Sequence, residues 1–258
     1  MSKDNKINVT IWNENVHEKT NSAVCEIYPG GLHGFLAEKL NSPDLNIRTA
    51  TLDEPEHGLT EEVLNNTDVL LWWGHAAHHK VEDAIVDRVQ QKIWDGMGLV
   101  ALHSAHMSKI FCRLNGTSGK LHWREVGERE RLWVIDPSHP IVAGLPEHFE
   151  LPYEEMYGEP FMIAADAKPI IISWFEGGEV FRSGFTLQRG HGRMFYFRPG
   201  HETFPSFHNA NVIKVIGNAI RWLKPAYRAD YPKTHTPDSL EVISPKDFKH
   251  VKAGIIHN

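Results

Sequence analysis

Apolar and polar residues alternate over INVTIW, residues 7–12, which predicts a strand. After a turn at Pro29 to Gly31, Leu32, Phe35, Leu36 and Leu40 recur at helical spacing, and Pro43 stops the pattern. NIRTATL reads as a second strand and TEEVLNNT as a short helix. DVLLWWG, residues 68–74, is an apolar run without polar breaks, as expected of a strand buried on both faces of a parallel sheet. Val81, Ile85, Val89 and Ile93 then mark an amphipathic helix, ended by Gly96 and Gly98. GLVAL, residues 98–102, is a further buried strand. This alternation predicts a parallel sheet with helices on both faces. The second half is richer in strands, at residues 131–135, 169–175, 179–187 and 192–197, with Gly177-Gly178 as a tight hairpin turn. One strong helix follows, with Val212, Ile216, Ala219, Ile220 and Leu223 on a shared face. The pattern divides the chain into one α/β domain, residues 1–225, and a proline-rich extension, residues 226–258, packed on the surface or partly mobile.

Composition narrows the function. The net charge is −6 and no long basic block occurs, which argues against a nucleic-acid partner. No apolar run is long enough to span a bilayer. The polar start and the two cysteines, Cys25 and Cys112, fit a cytoplasmic protein with free thiols. Histidine is the outlier. There are 17, many in the clusters GHAAHH, LHSAH, LHW and GHE. Imidazole is the commonest metal ligand and the usual acid–base group near neutral pH.

In an open parallel sheet, ligands bind beyond the carboxyl ends of the strands. Four polar clusters fall there: Asn13, Glu14 and His17; Gly74, His75, His78 and His79; His103, Ser104 and His106; and Arg198, Gly200, His201 and Glu202. The turn after GLVAL has the place of a nucleophile elbow, with His103 at its tip.

GLVALHSAH and, much later, GRMFYFRPGHE resemble the two motifs of the class I glutamine amidotransferase-like fold. Neither cysteine lies at the elbow, so thioester chemistry on a cysteine is not expected. With GGLHGF, LNGTSGKLHW, HPIVAGL and EEMYGE added, the chain resembles the trehalose-utilisation, or ThuA-like, family over roughly residues 7–224. The resemblance implies a flavodoxin-like three-layer α/β sandwich with a mostly parallel central sheet. Its motif positions correspond to His33, His103, His122, Glu155, Tyr157, Gly200 and His201. His33, His103, His122 and His201, with Glu155, form a candidate ligand set for a divalent ion, zinc first. His103, Glu155, His201 and Tyr157 are the candidate catalytic groups. Glu155 could instead stand in a solvated acidic loop with Glu154 and Glu159. Arg198 is a candidate for holding an oxyanion or sugar hydroxyls, or else an ion-pair partner of Glu202 or Glu155. Ser104, His75, Trp73, Trp123 and Glu202 complete the expected substrate contacts, while Trp72 reads as core. No nucleotide cofactor is expected.

The resemblance implies a role in carbohydrate catabolism, on trehalose-like disaccharides or their keto derivatives. The expected chemistry is metal- or histidine-assisted proton transfer next to a carbonyl. A hydrolase using metal-bound water and a non-catalytic sugar-binding or regulatory module are the alternatives. The expected partner is a small carbohydrate, with a homo-oligomer as a further expectation.

Overall fold

The computed structural model describes residues 6–229 and 238–244. Most of the expected C-terminal extension, residues 230–237 and 245–258, lies outside them.

Nine strands form one sheet: β1 (Ile7–Asn13), β2 (Leu45–Thr51), β3 (Val69–Trp73), β4 (Gly98–Leu102), β5 (His122–Val134), β6 (His148–Gly158), β7 (Lys168–Phe175), β8 (Val180–Arg189) and β9 (Gly192–Phe197). Their spatial order is β2-β1-β3-β4-β9-β8-β7-β5-β6. Pairing is parallel from β2 across to β9 and antiparallel from β9 to β6. The sheet is therefore mixed, with its parallel half where the βα alternation predicts it.

Period-two alternation sends neighbouring side chains of each parallel strand into different cores. Val69, Leu71 and Trp73 of β3, Val100 and Leu102 of β4, and Phe195 and Phe197 of β9 enter one core. Against it lie α3 (Gly31–Leu40) and α7 (Ala210–Leu223), through Leu32, Leu36, Val212, Ile216 and Ile220. Leu70, Trp72, Leu99, Ala101, Met194 and Tyr196 enter the other core. That core is closed by α4 (Glu61–Asn65), α5 (Asp83–Trp94) and α6 (Lys109–Asn115), through Leu64, Val86, Val89, Ile93 and Phe111. These layers make the three-layer α/β sandwich. Trp72 is core as expected, stacked on Trp12 at 4.0 Å between ring centroids.

Two strands depart from the sequence reading. β5 begins at His122, nine residues before the predicted start, and β6 was not foreseen. Only Glu130–Val134 of β5 pairs with β7. The earlier part of β5 pairs with β6 alone, as a two-stranded ribbon with shifts in register. Its side chains are mostly exposed or half-buried, so no hydrophobic alternation marks it.

Candidate functional site

β4 ends at Leu102, and His103 turns the chain with φ +50°, in the left-handed region. A short 3₁₀ turn (His103–Met107) follows, then α6, whose N-terminus is capped by Ser108 accepting the Phe111 N–H. A β-carbon in the left-handed region costs roughly 1–2 kcal/mol. The elbow is thus a strained turn held by what surrounds it. His103 is fully buried, and its Nδ1–H donates to the Arg198 carbonyl at 2.9 Å. That bond leaves the Nε2 lone pair facing Glu155 Oε2 at 3.1 Å and the Tyr157 hydroxyl at 3.3 Å.

Glu155 and Tyr157 come from β6. The expected alternative of a solvated acidic loop does not hold: Glu154 is 0% exposed and Glu155 4%. Tyr157 stacks on His103 at 5.0 Å and meets Ser104 Oγ at 3.0 Å. After β9, His201 brings its Nε2 to 3.9 Å from Glu155 Oε2. Ring atoms of His103 and His201 and a carboxylate oxygen of Glu155 lie within 4.8 Å of one another. With the His103 proton on Nδ1, an ionised Glu155 leaves its buried Oε2 without a donor.

Burial dominates the electrostatics. It lowers His103 to about 3, helped by the charges of Arg198 and His75, and lowers His201 to about 4, helped by His103. Both imidazoles are therefore neutral near pH 7. Burial raises the Glu155 carboxyl, against the opposing charges of His201, His75 and Arg198. A lone pair on His103 Nε2 within 3.1 Å of a carboxyl oxygen fits a proton between them, which agrees with the raised carboxyl.

These groups open into a cavity of about 420 Å³ at the carboxyl ends of the parallel strands. His75, Ser104, Trp123, Glu155, Tyr157 and His201 line it. Trp123 is 65% exposed at the rim, a ready stacking surface. His78, His106, Lys120 and Glu125 line it too. The first two lie in the histidine clusters beyond the strand ends, which the sequence exposes. The other two lie before and within the ribbon, where no pattern marks them. His106 Nδ1–H donates to the Gly119 carbonyl at 2.7 Å, and burial lowers its ring to about 3. Glu14 accepts the Ala76 and Ala77 N–H groups at 2.7 and 2.9 Å, fixing the loop that carries His75 and His78.

Several expected contacts fall elsewhere. Arg198 is fully buried and cannot reach a substrate. Its Nη1 donates to Glu154 Oε2 at 2.8 Å and to the Glu155 carbonyl at 2.9 Å, and its Nη2 pairs with Glu130. Its partners are thus neither Glu202 nor the Glu155 carboxylate. Trp73 is also core, its indole N–H donating to the Gly200 carbonyl at 2.9 Å. Glu202 is buried against His17 and His75 at 3.3 and 3.2 Å rather than in the cavity lining. Burial alone would raise its carboxyl, but the hydrogen bond to His75 and the charges of His201, His75 and His17 hold it at about 2. The four-histidine ligand set does not assemble. His33 lies on α3, its Nδ1 accepting from Asn13 Nδ2 at 3.0 Å, and His122 is exposed at the start of β5. Both cysteines are free, and neither stands in the elbow turn His103–Met107. No helix among the described residues is long and apolar enough to cross a membrane.

Comparison with solved structures places this fold. A ThuA-like protein from Bacteroides uniformis is similar at 19% identity and a TM-score of 0.64, over 86% of this chain and 93% of its own. One from Parabacteroides merdae is similar at 15% identity and a TM-score of 0.65, over 89% and 100%. A glutamine amidotransferase from Thermotoga maritima shares the fold at 10% identity and a TM-score of 0.50, over 84% and 97%. No curated protein matches the sequence significantly. The profile of the ThuA family, described as trehalose utilisation, matches residues 8–223. That match spans most of the 258 residues, and the chain belongs to the ThuA family.

Proposed function

We propose that the protein acts on a keto derivative of a trehalose-like disaccharide, moving a proton at the carbon next to the carbonyl. The observation that carries this reading is the grouping of His103, Glu155 and His201, of which Glu155 and His201 line the cavity, with a buried Glu155 oxygen 3.1 Å from His103 Nε2. A carboxyl whose burial raises its pKa is a stronger base than an exposed one and is suited to take and return a proton. In this reading ionised Glu155 takes the proton from carbon. Once on Glu155, that proton is shared with the lone pair of His103 Nε2, 3.1 Å away.

The Thr203 N–H donates to His201 Nδ1 at 3.3 Å, which leaves the His201 Nε2–H to point at the substrate's carbonyl oxygen. A neutral imidazole is a good hydrogen-bond donor to the charge that develops there. Return of the proton to the former carbonyl carbon, with the hydroxyl proton passing from one oxygen to the other, gives the isomeric keto sugar, with no atom gained or lost. Trp123 offers a face to a sugar ring, and a cavity of about 420 Å³ falls within the usual range for small-molecule sites.

One observation favours a second reading. Two imidazole nitrogens and a carboxylate oxygen within 4.8 Å are also a donor set for a divalent ion such as zinc. Such an ion, when bound, would supply an activated water for hydrolysis. Product analysis after incubation with a keto-disaccharide separates the readings. A rearranged sugar of unchanged mass supports proton transfer. Release of monosaccharides, lost on metal removal, supports the hydrolase. Binding without turnover contradicts both and leaves a sugar-binding module.

A further inference from the structure

We propose that His17, His75 and Glu202 form a second cation site, in the wall of the cleft, for zinc or an ion of similar size and donor preference. The three residues come from separate elements. His17 opens α1 (His17–Thr20), His75 follows β3, and Glu202 follows β9.

One donor atom from each residue lies within 4.8 Å of the other two. Glu202 Oε1 lies 3.2 Å from His75 Nδ1 and 3.3 Å from His17 Nδ1, and the other His17 ring nitrogen, Nε2, lies 3.2 Å from His75 Nδ1. Zinc bonds of about 2.0–2.2 Å put neighbouring ligands of a tetrahedral site roughly 3.3 Å apart, so a small closure of this group completes the set.

A second observation is independent of that spacing. Glu202 is 2% exposed, and its Oε2 is buried with no hydrogen-bond partner. The His201 Nδ1 stands 3.7 Å away, beyond hydrogen-bond range. A triad of hydrogen bonds alone uses Oε1 and leaves Oε2 stranded. A cation can take both oxygens of the carboxylate.

The side chains of His17 and His75 are 25% and 30% exposed, which leaves room for water to complete the coordination shell. Because His75 also lines the cavity, a cation here would stand beside the substrate.

The site is separate from the Glu155 group, and two variants distinguish them. Tag-free full-length protein is stripped with a chelator, reloaded with zinc and analysed for bound metal, with cobalt absorption as a second readout. Wild type is expected to hold one ion more than His17→Ala and Glu202→Gln, each checked for folding by circular dichroism. Glu155→Gln is expected to keep that ion. Equal metal content in wild type and His17→Ala would overturn the proposal, as would metal lost only from Glu155→Gln or no metal in wild type. Loss confined to Glu155→Gln would leave the hydrolase reading of the cavity floor standing.

Discussion

At the scale of single residues, His103 combines strain with buried chemistry. Its left-handed backbone holds the ring where Nδ1 meets the Arg198 carbonyl and Nε2 meets Glu155. Glycine relieves the strain and alanine does not, so His103→Gly should unfold about 1 kcal/mol less readily than His103→Ala in denaturant titrations. Neither variant should turn over substrate. His106 tests the electrostatics. Its folded value of about 3 lies below the ordinary 6.5, so the unfolded chain binds a proton that the native ring refuses. Its stabilising contribution is thus present above pH 6.5 and lost as pH falls from there toward 3. Relative to His106→Asn, which keeps an amide near the Gly119 carbonyl, wild type should lose about 1.4 kcal/mol per pH unit below pH 6.5. Urea unfolding at pH 7, 6 and 5 measures the difference. A constant difference across that range would mean that the native ring titrates normally.

At the scale of elements, the site is built where strands end. β3, β4 and β9 supply the loops of His75, His103 and His201, while β6 lays Glu155 and Tyr157 over them. The β9 loop is tied down by two contacts at Gly200. Its carbonyl accepts the Trp73 indole N–H, and its N–H donates to Glu154 at 3.3 Å. Gly200 has φ +125°, and a β-carbon there would come within 2.4 Å of the Phe207 ring. Trp73→Phe leaves the buried carbonyl without its donor, which should cost about 1–3 kcal/mol in stability and displace His201. Thermal unfolding together with a fall in turnover would report both effects.

The same elements show what the sequence makes legible. Runs such as DVLLWWG and GLVAL announce the parallel strands because both faces are buried, and the strand-end rule then points to His75, His103 and His201. The free portion of β5 is hidden because it has no consistent inside face, and its partner in β6 because the buried run Glu154–Gly158 starts with two glutamates. The sequence therefore offers Glu155 through a family motif alone, without its strand. Arg198 stands at a strand end like the others, but its register sends the guanidinium between Glu130 and Glu154. Which way a charged side chain turns depends on acidic partners 68 and 44 residues away, and no local pattern carries that.

At the scale of the whole molecule, the parallel half of the sheet aims the elbow, and the antiparallel half carries the carboxylate that meets it. The turn that holds a nucleophile in related folds here presents a neutral imidazole, backed by Arg198 and faced by Glu155. The central claim is that Glu155 exchanges a proton with a sugar carbon next to a carbonyl. Solvent-hydrogen exchange tests it most directly. A keto-disaccharide incubated with the protein in D₂O is followed by NMR at the carbon beside the carbonyl. Deuterium is expected at that carbon at a rate that climbs as pH rises through the raised Glu155 pKa, with a fall of about 100-fold or more in Glu155→Gln. Wild-type protein that binds the sugar yet leaves that carbon unlabelled, or a Glu155→Gln variant that labels it as fast, would contradict the account.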